Sequence, residues 1–307
     1  MILTITMNPA LDKSTTVEKL LAEKKLRCEQ PVIEAGGGGI NASKTIKELG
    51  GESVAFYPAG GANGRRLQEL LITLGINSIV VPLKGETREN LTVTETSHNQ
   101  QFRFVMPGPT LDEEDVERCF AAIEAILPVP DIIVASGSLP PGVPDDFFGR
   151  LAHLCKRTGS KLIVDTSGEP LLHAARTGIY LLKPNMSELC SLAGKEYLEL
   201  DSVTEEARKI IEKGYCEVLV ISMGPAGALL ITKDLSEQIS APTVKKHTTV
   251  GAGDSMVGGM AWMLDKGEPI QAVARFGVAC GTAATMNAGT QLCKKDDVYR
   301  LYKWINR

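Results

Sequence analysis

Apolar positions along this chain gather into short runs: "ILTITM" near the start, then "SVAFYP", "NSIVVPL", "DIIVASG", "KLIVDTS", "IYLLKPN" and "EVLVISMG". Most lack a clean apolar/polar alternation, the pattern of strands buried on both faces. Amphipathic stretches at 112–126, 145–158 and 203–213 separate many of them. Strand alternating with helix predicts an α/β fold, with a mostly parallel central sheet flanked by helices. Two segments break the rhythm. Residues 14–35 and 88–106 contain extended pieces such as "STTVEKL", "LTVTETS" and "QFRFVM" with no helix after them. They predict a small antiparallel sheet projecting as a lid, whose edges and exposed face need cover, for instance from a second subunit. From 251 onward the pattern is helical almost throughout. No repeat, linker or low-complexity tract divides the chain, so 1–307 reads as one domain carrying that lid.

Composition narrows the class. The chain has 307 residues, 43% hydrophobic and 23% charged, ordinary values for a globular protein. A net charge of −4 provides no general basic face for nucleic acid. Seven cysteines are scattered without C-x-x-C spacing, which suits reduced thiols in a cytoplasmic setting. The start has neither a basic n-region nor a long apolar h-region, so no signal peptide is read. No apolar run approaches the roughly 18 residues of a membrane span.

The chemistry concentrates in "TVGAGDSMVGGMAWML". Gly251, Ala252 and Gly253 allow backbone N–H groups to converge at the start of a helix, an anion hole fitted to a transferring phosphoryl group. Asp254 in the first turn can then accept a proton from an attacking hydroxyl. The structural alternative is an acidic residue that only complements the helix dipole. In "LLKPNMSEL", Asn185 and Glu188 spell a capping box. They equally suit arranging Mg²⁺ and its waters around nucleotide phosphates, with Lys183 as a nearby point charge.

"EAGGGGINAS" opens two readings. Gly37, Gly39 and Ala42 fit the dinucleotide fingerprint, the basis of an oxidoreductase alternative, although no acidic residue follows at the expected distance. The same glycines allow close backbone approach to a sugar, with Asn41 reading a hydroxyl. Asp12 is a turn residue or a carboxylate for sugar hydroxyls. Ser136 and Ser138 end a strand where ligands of parallel sheets bind. Ser222 to Gly227, "SMGPAG", is a second glycine turn that either covers a nucleotide or closes a hairpin. Lys25, Arg27, Arg88 and Arg103 all fall in or beside the lid segments and together could clamp a phosphate. There is no P-loop, no protein-kinase motif set, no G-x-S-x-G elbow, and no metal-ligand spacing among the four histidines.

Taken together, "NPALD", "GGGGINAS", "SGSLPPG", "KPNMSEL" and above all "TVGAGDSMVGG" resemble the ribokinase-like sugar kinases of the phosphofructokinase B family, over essentially the whole chain. Within it, "KLRCEQPVIEAGGGGIN", "FRFVMPG" and "GVACGTAATMNAGT" resemble the bacterial minor, ATP-dependent 6-phosphofructokinase branch. Related 1-phosphofructokinases and tagatose-6-phosphate kinases usually carry Lys where Gly38 stands here.

The resemblance implies a role for each matching position. Asp254 is the base and Gly251, Ala252 and Gly253 are the anion hole. Asp12, Gly37, Gly38, Gly39 and Asn41 bind the sugar. Arg88, Arg103 and Ser138, with Lys25 from a neighbouring subunit, hold its phosphate. Lys183, Asn185 and Glu188 serve the ATP phosphates and Mg²⁺, Ser222, Gly224 and Gly227 line the nucleotide, and Thr249 and Asn287 flank adenine or ribose. Carbonyls of Thr248, Val250, Ala284, Asn287 and Gly289 would hold K⁺, although Gln291 replaces a basic residue of the relatives. A homodimer through the lid is implied. A non-enzymatic sugar-phosphate sensor on the same fold is the other alternative, against which the presence of Asp254 argues.

Overall fold

The computed structural model describes residues 1–98, 100–287 and 289–307. The first half of the chain holds β1 (Ile2–Ile5), β2 (Ala10–Val17), β3 (Val32–Gly36), α1 (Gly38–Glu48), β4 (Ser53–Gly60), α2 (Gly61–Thr73), β5 (Asn77–Leu83), β6 (Arg88–Glu95), β7 (Gln100–Val105), α3 (Glu113–Glu124) and β8 (Ile132–Ser136). It continues with α4 (Phe147–Thr158), β9 (Lys161–Asp165), α5 (Gly168–Thr177), β10 (Ile179–Leu182), α6 (Met186–Ala193) and α7 (Val203–Glu212). The last part holds β11 (Cys216–Ser222), β12 (Ala228–Thr232), β13 (Ser236–Ile239), α8 (Ala252–Asp265), α9 (Ile270–Thr285) and α10 (Lys295–Ile305).

Nine strands form the main sheet in the order β13-β12-β11-β10-β9-β8-β1-β4-β5. From β11 to β5 every pairing is parallel, and only β12 and β13 run antiparallel. Successive side chains of a strand face opposite ways, and the packing follows that rule. Ile133 and Ala135 enter a core built with α3 to α7, whereas Ile132 and Val134 enter one built with α1, α8, α9 and α10. The unbroken apolar runs of the sequence are the result of this two-sided burial.

The helix that begins at Ala252 is enclosed almost all round, with Ser255 to Leu264 buried. Small residues make that possible. A Cβ at Gly258 would stand 2.8 Å from the Ala42 carbonyl oxygen, and one at Gly259 would stand 2.4 Å from Cys280 Sγ. α8 is therefore wedged between α1 and α9, and its N-terminus is aimed by close packing on both sides.

The remaining strands form a separate four-stranded sheet, β3-β2-β6-β7. It corrects the expectation of an antiparallel lid. β2/β3 and β6/β7 are antiparallel, but the central β2/β6 pair is parallel, so the sheet is mixed. β2 also starts at Ala10, inside what read as a turn, so that Asp12 is a strand residue rather than a turn residue. Residues 18–31 belong to no strand. Among the described residues no helix is long and apolar enough to cross a membrane.

Candidate active site

The carboxyl ends of β1, β8 and β9 meet the start of α1 and the start of α8. Thr6, just past β1, accepts from the N–H of Ile40 through Oγ1 at 2.8 Å. Gly137, just past β8, donates its N–H to the Asp165 carbonyl at 3.0 Å, and Thr166 returns a hydroxyl bond to the Gly137 carbonyl at 2.9 Å. The glycine run fits into this seam because it lacks side chains. Gly37 adopts φ +118°, and a Cβ at Gly38 would stand 2.2 Å from Ser136 Oγ. Gly39 faces away from the cleft, where a Cβ would meet the Ile5 carbonyl oxygen at 2.5 Å. Its task is close packing of α1 on β1.

This arrangement overturns the dinucleotide reading. The strand before the glycines is β3, a lid strand, and not part of the parallel sheet. The glycines therefore do not open a βαβ unit, which that fingerprint requires.

Between lid and core lies a cleft of ≈ 170 Å³. The core supplies Gly37, Gly38, Asn41, Val250, Gly251 and Asp254, and the lid supplies Asp12, Arg88, Asn90 and Arg103. A larger cavity of ≈ 520 Å³ lies between β13 and the end of α10. Its Arg275 is already paired with Glu237 and Asn306, and no titratable cluster converges there. The smaller cleft is where the chemistry gathers.

Gly251 caps α8 with φ +72°, a left-handed conformation that suits glycine. The first N–H groups of any helix lack intrahelical acceptors and carry partial positive charge. Asp254 stands in this first turn, and its Oδ2 accepts from Asn41 Nδ2 at 2.8 Å. Burial, and then the negative charge of Asp165, push the Asp254 carboxyl up to about 6. A carboxylate held there binds a proton far more readily than a surface aspartate, which suits a general base.

Two charged groups flank the hole. Lys183, only 5% exposed, pairs with Asp165 at 3.1 Å. A Cβ on Gly253 would lie 3.5 Å from Lys183 Nζ and 3.8 Å from Asp165 Oδ2, so both stand beside the anion hole. Lys183 thus belongs to the hole itself and not only to a nucleotide strip. Its ammonium is held above the ordinary lysine range: burial is the largest influence and opposes the charge, but Asp165, with Glu188 and Asp254, together outweigh it.

The capping box is formed. Asn185 Oδ1 accepts from the N–H of Glu188 at 3.0 Å, and Glu188 Oε2 accepts from the N–H of Asn185 at 2.8 Å. Burial raises the Glu188 pKa, and the charge of Asp165 adds to it. Two carboxylates that repel one another welcome a hard cation between them. No group of three or more His, Cys, Asp or Glu residues is placed to hold a metal among the described residues. The donor set therefore fits Mg²⁺ bound mostly through water and phosphate oxygens, as that ion prefers. Ser222 lies beside this corner, joined to Asn185 by an isolated parallel bridge. The Met223–Gly227 segment closes the β11/β12 hairpin through a 2.9 Å bond, so this glycine turn is a hairpin turn next to the capping box.

Other expected residues are placed differently. Arg88 already donates to the Met106 carbonyl at 3.0 Å and the Asn8 carbonyl at 2.9 Å, and its Nε is buried without a partner among the described residues. Ser138 accepts from Asn8 Nδ2 at 3.2 Å, is exposed, and does not line the cleft. Lys25 is exposed and does not line this cleft. Asn287 is buried, and its Nδ2 donates to the Leu292 carbonyl at 2.8 Å and the Ala283 carbonyl at 3.3 Å, which ties down the loop before α10. Among the carbonyls expected to hold K⁺, that of Ala284 already accepts from the Asn287 N–H at 3.2 Å. Thr249 is exposed beside the hole.

Sequence reading missed three contributors. Asp165 ends a parallel strand at its carboxyl edge, the position where site residues of such sheets gather, and that signal was available. Asn90 lies two residues past Arg88 on the same strand face, which alternation alone indicates. Thr290 lines the cleft and touches Glu34 of β3, a contact between distant segments that no local pattern announces.

A family model described as pfkB family carbohydrate kinase matches residues 5–297. The chain is 42% identical to the ATP-dependent 6-phosphofructokinase isozyme 2 of Escherichia coli, covering 100% of this chain and 99% of that one. Two crystal structures of phosphofructokinase-2 from Escherichia coli superpose over 100% of this chain and 99% of theirs. The complex with potassium has a TM-score of 0.95 at 41% identity, and the complex with fructose-6-phosphate has 0.94 at 40%. The chain belongs to the pfkB family of carbohydrate kinases, with the ribokinase-like α/β fold expected from its motifs.

Proposed function

We propose that this pfkB-family kinase transfers the γ-phosphoryl group of ATP to the C1 hydroxyl of fructose 6-phosphate, giving fructose 1,6-bisphosphate in the cytoplasm. The observation that carries the reading is Asp254 in the first turn of α8, its carboxyl at about 6, facing a cleft that also presents Asp12, Asn41, Arg88 and Arg103. The near-complete match to a relative bearing that activity in its name supports the substrate.

In this mechanism Arg88 and Arg103 hold the sugar phosphate from the lid side, together with Ser138. Asp12 and Asn41 accept and donate to ring hydroxyls, while the backbone of Gly37 and Gly38 approaches the sugar closely. Asn41 also fixes the Asp254 carboxylate. Asp254 takes the proton from the C1 hydroxyl as that oxygen attacks the γ-phosphorus and the bond to the β,γ-bridging oxygen breaks. The N–H groups of Gly251 to Gly253 and the Lys183 ammonium take up the negative charge of the transferring group. Positioning and electrostatics supply most of the acceleration in such transfers. Mg²⁺, when bound, neutralises the ATP phosphates; Glu188 would hold it through water, beside Asn185 and Asp165. Ser222, Gly224, Gly227 and Thr249 are the nucleotide strip of this reading. K⁺ held near Thr248, Val250 and Gly289 would support the anion hole.

The active unit is a homodimer joined through the lid. On the face of that sheet opposite Asp12 and Asn90, Ile33 is 36% and Phe104 43% exposed, in one row with Lys13 and Leu91, an apolar patch that a second copy would cover. Lys25, placed outside its own cleft, then serves the neighbour's phosphate site.

The test is a comparison of kcat/KM with ATP against fructose 6-phosphate, tagatose 6-phosphate and fructose 1-phosphate, with and without K⁺. Highest kcat/KM on either of the last two would overturn the substrate assignment and leave the kinase reading standing.

A further inference from the structure

Asn90 stands directly across the parallel β2/β6 pair from Asp12. Its amide is used at both ends. Nδ2 donates to Asp12 Oδ1 at 2.8 Å, and Oδ1 accepts from the N–H of Met106 at 3.2 Å. The other oxygen of Asp12 lies over Gly36, so closely that a Cβ there would fall 1.9 Å from Oδ2. One carboxylate oxygen is thus gripped by a donor, and the other rests against a residue with no side chain. Both Asp12 and Asn90 line the cleft.

We propose that Asn90 is a positioning residue of the sugar site: by gripping Oδ1 it sets the rotation of the Asp12 carboxylate and aims its remaining lone pairs at the sugar's ring hydroxyls. This rests on the sugar-phosphate kinase reading given above. Two physical effects follow from the grip. A free carboxylate on a strand samples several orientations, and freezing one of them in advance removes an ordering loss from substrate binding. A donor to the ionised form also keeps it ionised. Burial raises the Asp12 pKa, and Asn90 is the largest influence opposing it. Lys44 of α1 and Arg88 of β6 act in the same direction, Glu34 of β3 acts against them, and Asp254 of α8 senses the Asp12 charge.

The Met106 contact adds a condition. Arg88 Nη1 holds the Met106 carbonyl at 3.0 Å, and Arg88 Nη2 holds the Asn8 carbonyl beyond β1 at 2.9 Å. Arg88 and Asn90 therefore hold the Met106 residue at its C=O and its N–H, where β7 returns to the core. The aim of Asp12 depends on that end of the lid being seated.

The experiment compares the wild type, Asn90→Ala and Asn90→Asp with ATP and fructose 6-phosphate across pH. Wild-type turnover comes first, because its absence would sink the kinase reading itself and not the Asn90 assignment. Asn90→Asp keeps an acceptor for Met106 N–H but, when ionised, has no donor for Asp12. Both variants should lose about 10- to 100-fold in kcat/KM for the sugar phosphate, mostly through KM, with KM for ATP within about twofold. The acid limb of the kcat/KM profile should move to higher pH. In an Asp12→Asn background, replacing Asn90 by Ala should cost little further, since the group being aimed is already altered. If Asn90→Asp retains wild-type kcat/KM, or if both variants weaken ATP and sugar alike without moving the acid limb, Asn90 only anchors Met106 and the proposal is wrong.

Discussion

The main sheet and the lid meet water in opposite ways. Every parallel strand from β11 to β5 is shielded by helices on at least one side, and β1 and β8 are buried residue by residue. The lid has one face turned to the cleft, which carries Asp12, Asn90 and Val105 in one row, and an opposite face left open, with Ile33 and Phe104 exposed. The groups that would handle the phosphoryl transfer, Asp254, Lys183, Asp165 and the anion hole, stand on the enclosed part. Most groups that would recognise the sugar, Asp12, Arg88, Asn90 and Arg103, stand on the lid. Chemistry is thus fixed by packing and recognition by an element that a partner and a substrate can complete. Changes in the core should strike kcat or stability, and changes in the lid should strike KM and assembly.

Asp254→Asn gives the largest expected effect. kcat should fall by about 10²–10⁴ with both KM values little changed, because only the proton acceptor is lost. The same substitution should raise the melting temperature at pH 7–8. Asp254 titrates near 6 in the fold, above the ordinary 3.8. Its stability contribution is therefore full below pH 3.8 and lost as pH rises through 6, leaving a penalty at neutrality of roughly 1–3 kcal/mol. Wild-type kcat/KM should correspondingly fall on acidification through pH 6. A variant both active and no more stable would place the base elsewhere.

A matched pair of truncations separates the regions by stability. Phe147→Ala, in the core against Phe120 and Phe148, should lower the unfolding free energy by about 3–5 kcal/mol. Phe104→Ala, 43% exposed on the lid, should lower it by less than about 1 kcal/mol while weakening self-association. Denaturant unfolding and sedimentation measure the two outcomes, and a Phe104 variant as unstable as the Phe147 variant would dissolve the distinction.

Lys25→Ala should reduce kcat/KM for the sugar phosphate by about 10-fold, the scale of one charge-assisted contact. Mixed with inactive Asp254→Asn protein and allowed to exchange subunits, it should exceed its own activity, because some mixed dimers carry one intact site. No gain despite exchange shown by labelled subunits would return Lys25 to its own chain.

Glu188→Gln preserves the capping box, since Gln also closes it. The melting temperature should move by no more than a degree or two, while the Mg²⁺ concentration for half-maximal rate rises several-fold. An unchanged Mg²⁺ titration would leave only the cap. The smallest expectation is Arg66→Ala: its pairing with Glu69 is over half exposed on both sides and should contribute under about 0.5 kcal/mol.

The same contrast explains what the sequence made legible. The core strands announced themselves because two-sided burial demands unbroken apolar runs, and α8 did so through its glycines followed by an all-apolar face. The motif at 251–254 and the capping box at 185–188 lie within single local segments, so their geometry was readable in advance. The lid was readable as extended chain, but not in its pairing. Nothing in "ALDKSTTV" or "RENLTVTE" says that they run parallel, since that depends on the path of everything between them. Asp165 and Asn90 escaped for a related reason. Each matters through a partner far along the chain, Lys183 just past the neighbouring strand and Asp12 on the neighbouring lid strand, and neither partner is visible from its neighbours. Asn287 adds a local contact that its motif does not announce: its amide holds its own loop through the Leu292 carbonyl.

The parallel β2/β6 pair also dictates an order of events in time. Asp12 and Asn90 are 78 positions apart, and the chain between them carries α1, β4, α2 and β5. Pairings between distant segments wait on loop closure, and parallel ones form slowly. By the same rule β1 and β8, which pair in parallel with Ile2 beside Ile132, close a longer loop still, so during refolding the β2/β6 pair should gain hydrogen-exchange protection no later than the β1/β8 pair. In a newly made chain the lid strands, which end at Val105, emerge before Asp165 and Asp254, so the sugar side would be in place before the phosphoryl-transfer end is complete.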